Sequence, residues 1–146
     1  MTRMDILEKI KNKFSKKVLK LFEKSKKRIY IDIDHDDLPD FATYIFKDLG
    51  ARFNTASAVD TPKGIEILYH FTFDSIDLVV SLRVLLDKSD PHIASLTPIM
   101  KGAGWIEREM HELFGVEFDG HPDLRPLLLP DNWPKDKYPL RRNCKI

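Results

Sequence analysis

The chain is 146 residues long with 42% hydrophobic and 32% charged residues, one domain's worth of polypeptide and neither disordered nor fibrous in composition. Its single cysteine, Cys144, excludes an internal disulfide framework and any cysteine-ligated zinc or iron–sulfur centre held by this chain alone. The net charge is only +1, yet residues 1–28 hold eleven Lys/Arg against Asp5, Glu8 and Glu23, while the remainder holds 13 basic and 20 acidic residues.

That asymmetry is either a solvated lysine face or contact with an acidic protein, nucleic acid or anionic lipid. No apolar run approaches the roughly 20 residues that span a bilayer, and the N-terminus lacks a signal peptide's apolar stretch. The expectation is a soluble, cytoplasmic polypeptide.

In chain order, "MDILEKIKNKFSKKVLKLFEKSKKR" sets Ile6, Leu7, Ile10, Phe14, Val18, Leu19 and Leu21 at helical spacing among lysines. This predicts one long amphipathic helix. "RIYIDIDH" alternates, with Ile29, Ile31 and Ile33 on one side, and predicts a half-buried strand. "DDLPDFATYIFKDLG" follows as a helix with an aspartate cap, an apolar face of Leu38, Phe41, Ile45, Phe46 and Leu49, and Gly50 closing it.

Three strands come next. Residues 51–60 are the least strongly patterned, "TPKG" makes a turn, "IEILYHFTF" alternates, "DSID" turns again, and "LVVSLRVLL" alternates. Turns this short force antiparallel pairing. The expected fold is therefore α+β: roughly four strands, mainly antiparallel, with helices on one face. Residues 1–115 would form this domain. Residues 116–146 carry five of the nine prolines and the apolar run "LRPLLLPDNWP", so they should form an extended arm lying on this domain or on a partner.

Between domain and arm stands "WIEREMHELFG", residues 105–115. Projected at about 100° per residue, Ile106, Met110, Leu113 and Phe114 face the core. Trp105, Arg108, Glu109 and Glu112 fall opposite, with Glu107 and His111 between. The pairs Arg108–Glu112 and Glu107–His111 are i, i+4 neighbours, worth about 0.2–0.5 kcal/mol each. A zinc-protease helix needs a second histidine where Gly115 stands, so that motif fails. His111 with Glu107, or His121 with Asp123, offers only two ligands each, and no metal or catalytic residue is expected. An RNA-binding sheet is a further alternative, with Tyr69, Phe71 and Phe73 as its aromatics. Those rings alternate in phase with Ile65 and Ile67, and the ribonucleoprotein signature is absent. The remaining reading is an interaction surface anchored by Trp105 and Arg108, since Trp and Arg are common interface anchors.

"GWIEREMHELFGVEFDGHPDLRPLLLP" resembles the signature of the thirty-kilodalton (C-type) subunit of respiratory complex I and of related energy-converting, membrane-bound [NiFe]-hydrogenases. The match rests on Trp105, Glu107, Arg108, Glu109, Glu112, Phe114 and Gly115, then His121, Pro122, Asp123, Leu124 and Arg125. His111–Glu112 and Pro126 resemble the hydrogenase-type or sulfur-reducing branch more than complex I itself.

The resemblance implies a non-catalytic hydrophilic subunit with no cofactor of its own, peripheral on the cytoplasmic side of the membrane. It would dock on a large catalytic subunit beside iron–sulfur subunits, and meet the membrane arm only indirectly. A nickel–iron centre and iron–sulfur clusters would lie on those partners, and no nucleic acid is expected. Trp105, Glu107, Arg108, Glu109, Glu112, Phe114, His121, Pro122, Asp123, Leu124, Arg125 and Leu127 would bind the partner.

Overall fold

The computed structural model describes residues 1–145. Helix α1 spans Arg3–Phe14, opened by a reciprocal cap in which the Thr2 hydroxyl accepts from the Asp5 amide and the Asp5 carboxylate accepts from the Thr2 amide. It buries Ile6, Leu7, Ile10 and Phe14, and Phe14 stacks on Phe41 at 3.8 Å between centroids.

The predicted long helix ends there. Ser15 takes a left-handed φ of 45°, and the chain continues as strand β1 (Lys20–Ser25), which turns back antiparallel onto β2 (Arg28–Asp32). Helical spacing misleads because Leu21 points inward as a single strand residue. Phe22 stacks instead across the strands on Tyr30, 6.3 Å away. Pairing with β2 satisfies a row of backbone groups that a helix would have left open at the sheet edge.

Helix α2 covers Leu38–Thr43 and runs on as a π-helical turn, Tyr44–Asp48, before Gly50 at φ 76° lets the chain reverse. Its Leu38, Phe41 and Ile45 are fully buried. Strands β3 (Arg52–Thr61), β4 (Gly64–Phe73) and β5 (Leu78–Leu86) pair antiparallel through the two predicted turns. The sheet thus has five strands, not four, in the order β1-β2-β5-β4-β3. Its one parallel pair is β2 with β5, because the helical crossover returns the chain beyond the far strand before it comes back.

One sheet face is apolar throughout: Ile29 and Ile31, Ile65 to Phe73 in alternation, and Leu78 to Leu86 in alternation, joined by side chains of all three helices in a single core. Tyr69, Phe71 and Phe73 lie in this core, which removes them as a nucleic-acid platform. The opposite face is mixed, with Phe22, Val59 and Leu85 exposed among polar side chains. There Ser57, His70 and Ser81 form a hydrogen-bonded row and Arg83 pairs with Asp32.

Beyond β5 the sequence is periodic only in the predicted 105–115 helix, and two short strands, β6 (His92–Ala94) and β7 (Glu117–Asp119), pair parallel around that helix, α3 (Ala103–Phe114). This small β-α-β unit seats α3 against β3. No helix among the described residues is long and apolar enough to cross a membrane.

Candidate partner-docking site

Helix α3 ends at Gly115, whose φ of 76° allows its amide to donate back to the His111 carbonyl at 2.9 Å. Its inward stripe contains Ala103, Met110 and Phe114, and also Glu107, which is 0% exposed. The helical projection sets Glu107 at the flank. In three dimensions it lies three residues before Met110 and seven before Phe114, on their stripe. The loop before α3 then closes over it.

Glu107 accepts the Ser95 hydroxyl at 2.6 Å and the Leu96 amide at 2.9 Å. Burial pushes its pKa up, and these two donors and the nearby His121 offset that only in part. The fully buried Tyr69 hydroxyl has no partner among the described residues, and burial next to Glu107 raises its pKa as well.

On the outer side, Glu112 is buried by the segment that follows β7. Its carboxylate accepts the backbone amides of Leu127, Leu128 and Leu129 at 2.9, 2.6 and 3.3 Å. One turn earlier, Arg108 donates to the carbonyls of Arg125 (2.9 Å) and Pro126 (2.8 Å). The two side chains thus hold successive peptide groups of the arm, the cation on C=O and the anion on N–H. The expected Arg108–Glu112 and Glu107–His111 pairs do not form among the described residues. His111 instead bonds the Val116 carbonyl at 2.9 Å, with Glu117 at 3.7 Å.

The turn into the arm is built on His121. Its Nδ1 accepts the Asp123 amide (3.0 Å), so Nε2 carries the proton that is donated to the Gly104 carbonyl (2.9 Å). Asp123 accepts from both the amide and the guanidinium of Arg125. Leu124 packs on the core and Phe114 is part of it. Glu109 and Leu127 are half-buried, and Pro122 is exposed. Trp105 is 73% exposed. It borders a cleft whose wall includes Lys101, Arg108, Arg125, His121 and Asp123. Three cations against one carboxylate leave this cleft net positive.

Residues 138–142 fold back on the domain, one of the two courses that the sequence left open for the arm. The Tyr138 ring lies over Gly115 so closely that a Cβ there would come within 2.6 Å of it. The Leu140 amide donates to the Leu113 carbonyl (3.0 Å), and Arg141 to that of Phe114. The Arg142 amide donates to buried Asp60 (2.8 Å), which also pairs with Lys88 at 2.6 Å. A signal existed: Asp60 shares the inward phase of Ala56 and Ala58 on β3, an unusual place for an acid.

Residues 31–146 match the family described as respiratory-chain NADH dehydrogenase, 30 Kd subunit. The chain is 32% identical over 143 residues to the C subunit of the F(420)H(2) dehydrogenase of Methanosarcina mazei, covering 94% of this chain and 89% of that one. It is 31% identical over 124 residues to the C subunit of the NADH-quinone oxidoreductase of Saccharopolyspora erythraea, covering 80% of this chain but 48% of that one. The chain therefore spans about half the length of that relative. Among solved structures, the membrane-bound sulfane sulfur reductase, an archaeal respiratory membrane complex, contains a chain that superposes with a TM-score of 0.85 at 22% identity, covering 98% of this chain and 85% of that one. A trypsin-resistant fragment of Nqo5 superposes with a TM-score of 0.68 at 20% identity, covering 85% of this chain and all of the fragment. At these identities the two structures speak for the fold.

Proposed function

The chain belongs to the family of the 30-kilodalton subunit of respiratory-chain NADH dehydrogenase, and from that membership we propose that it is a non-catalytic subunit seated on the large catalytic subunit of a complex I-like respiratory assembly. The observation that carries the proposal is the corner where α3 meets the arm, with Trp105 73% exposed beside Lys101, Arg108 and Arg125. An exposed tryptophan ringed by cations has the chemistry of an interface anchor and offers little to a lone domain. Glu112 and Arg108 hold the arm in one conformation before any partner arrives, which lowers the ordering cost of association.

On this reading the redox centres lie on neighbouring chains, and this subunit rests peripherally on the membrane complex. His111–Glu112 and Pro126 favour a [NiFe]-hydrogenase-like assembly, with nickel–iron and iron–sulfur centres on the partners. A dehydrogenase assembly is the second reading. It is favoured by the Methanosarcina relative, named a dehydrogenase subunit and similar along 94% of this chain.

The test is capture of the large subunit by the tagged chain from its own organism. Arg108→Ala and Trp105→Ala should each reduce capture at least tenfold, and nickel in the captured material separates the two branches. Undiminished capture by both variants would sink the docking proposal.

A further inference from the structure

The helices pack on one side of the sheet, and the face opposite the core gathers part of the positive charge of residues 1–28. On β2, Ile29 and Ile31 are buried, so Arg28, Tyr30 and Asp32 alternate outward. Tyr30 stands opposite Phe22 of β1, and the two rings stack. The Arg83 guanidinium lies over the Tyr30 ring, 5.4 Å from its centroid, while Asp32 holds it at 2.7 Å. Arg28, bonded to the Tyr30 phenol, lowers its pKa, and the charges of Arg28, Lys24 and Arg83 add to the effect. The outer face of β1 and β2 is therefore a place of positive potential built around two aromatic rings.

Two features separate this face from a solvated lysine surface. First, it is apolar as well as charged: Phe22 and Leu85 are exposed on it, and a groove is lined by Leu19, Lys20, Pro62, Lys63, Arg83 and Leu85. Exposed apolar side chains rimmed by charge mark an interaction surface. Second, its cations are unequally matched. Asp32 and Glu66 both turn to Arg83, at 2.7 and 3.9 Å. Lys20, Lys24, Arg28 and Lys63 pair with no carboxylate among the described residues.

We propose that this face receives an acidic amphipathic helix of a neighbouring protein subunit, its apolar stripe on Phe22, Tyr30 and Leu85 and its carboxylates against Lys20, Lys24, Arg28 and Lys63. A helix laid in a groove buries one apolar stripe and presents charge on both flanks. Charge complementarity then fixes its register and speeds encounter. Asp32 and Glu66 argue against a polyanion. They stand among the cations of the same face and would repel a phosphate backbone or an anionic bilayer, whereas a helix can place its carboxylates away from them. The proposal rests on the chain working within an assembly of subunits, but not on the α3–arm corner. Helix α3 packs on the core side of the sheet through Met110 and Phe114, so the two surfaces can fail separately.

The experiment places the photocrosslinking residue benzoylphenylalanine at Phe22 of the full chain, expressed in its own organism. After irradiation of the isolated complex, mass spectrometry identifies the cross-linked peptide. A single site is expected, in a subunit of that complex, on a segment of helical periodicity whose Asp and Glu outnumber its Lys and Arg. Lys24→Glu combined with Arg28→Glu should cut the cross-link yield at least tenfold with unchanged circular dichroism, and Lys11→Glu on α1 should leave it unaltered. A cross-link to a segment without the acidic excess overturns the proposal, as does no cross-link to protein or a yield indifferent to the double charge reversal. Salt-sensitive binding of the isolated chain to oligouridylate or to phosphatidylglycerol vesicles, lost in the double variant, overturns it in favour of a polyanion. Capture of the large subunit by Trp105→Ala is scored apart: its loss with the Phe22 cross-link intact bears on the α3–arm corner and leaves this surface standing.

Discussion

Glu107 and Glu112 sit on the same helix, and both are buried, for opposite purposes. Glu107 is sealed inside by Ser95 and Leu96, and its raised pKa marks a carboxylate that burial penalises. Glu112 is covered by the arm whose amides it binds. A folded pKa above the unfolded value means that the native state holds the Glu107 proton more tightly. Its contribution to stability is therefore fully present below the unfolded value, about 4.3, and is lost as pH rises through the raised folded value. Compared with Glu107→Gln, the wild type should lose relative stability as pH rises from about 4 to about 7. Urea unfolding at several pH values measures this, and a flat difference between the two proteins would refute it.

At the scale of elements, Gly115 joins helix end to tail. Its left-handed backbone costs an L-residue about 1–2 kcal/mol, and the Tyr138 ring occupies the space a Cβ would need. Gly115→Ala should lower the unfolding free energy by at least about 1–2 kcal/mol and speed protease cleavage near Tyr138. Unchanged tail protection would show that the contact does not hold the tail. Strands β4 and β5 were legible because their apolar residues alternate without interruption and the turns between them are short. β1 was not. Its lysine-rich sequence carries the apolar pair Leu21–Phe22, with Val18–Leu19 just before it, and this pattern suits a helix as well as a strand. The choice fell to the open edge of β2, which no local pattern records.

Across the whole molecule, Asp60 links three distant segments: β3, Lys88 after β5, and Arg142 in the tail. Burial pushes its pKa up, but the Lys88 ammonium and the Arg142 amide outweigh this, and the net shift is downward. The sign is thus opposite to that of Glu107. The stabilisation is present above the unfolded value, about 3.9, and is lost as pH falls through the lower folded value. Hydrogen exchange of tail amides 138–145 should accelerate relative to the core on acidification below that range. In Asp60→Asn it should already be fast at neutral pH. A tail equally protected in both proteins would contradict this anchoring role.

The sequence by itself determined the α+β class, the inward faces of β2, β4, β5 and α2, the position of α3, and the motif that carries the family likeness. Each depends on periodicity or spacing within a short window, where local geometry decides which side chains share a face. Only the tertiary structure decided that Glu107 and Glu112 are covered, and that Arg108 grips the arm rather than its helical neighbours. Those outcomes depend on aperiodic segments, the loop before α3 and the chain after β7, closing over surfaces far away in sequence. A buried polar group selects its partners from whatever backbone arrives there, and the pattern of one helix contains no record of that arrival.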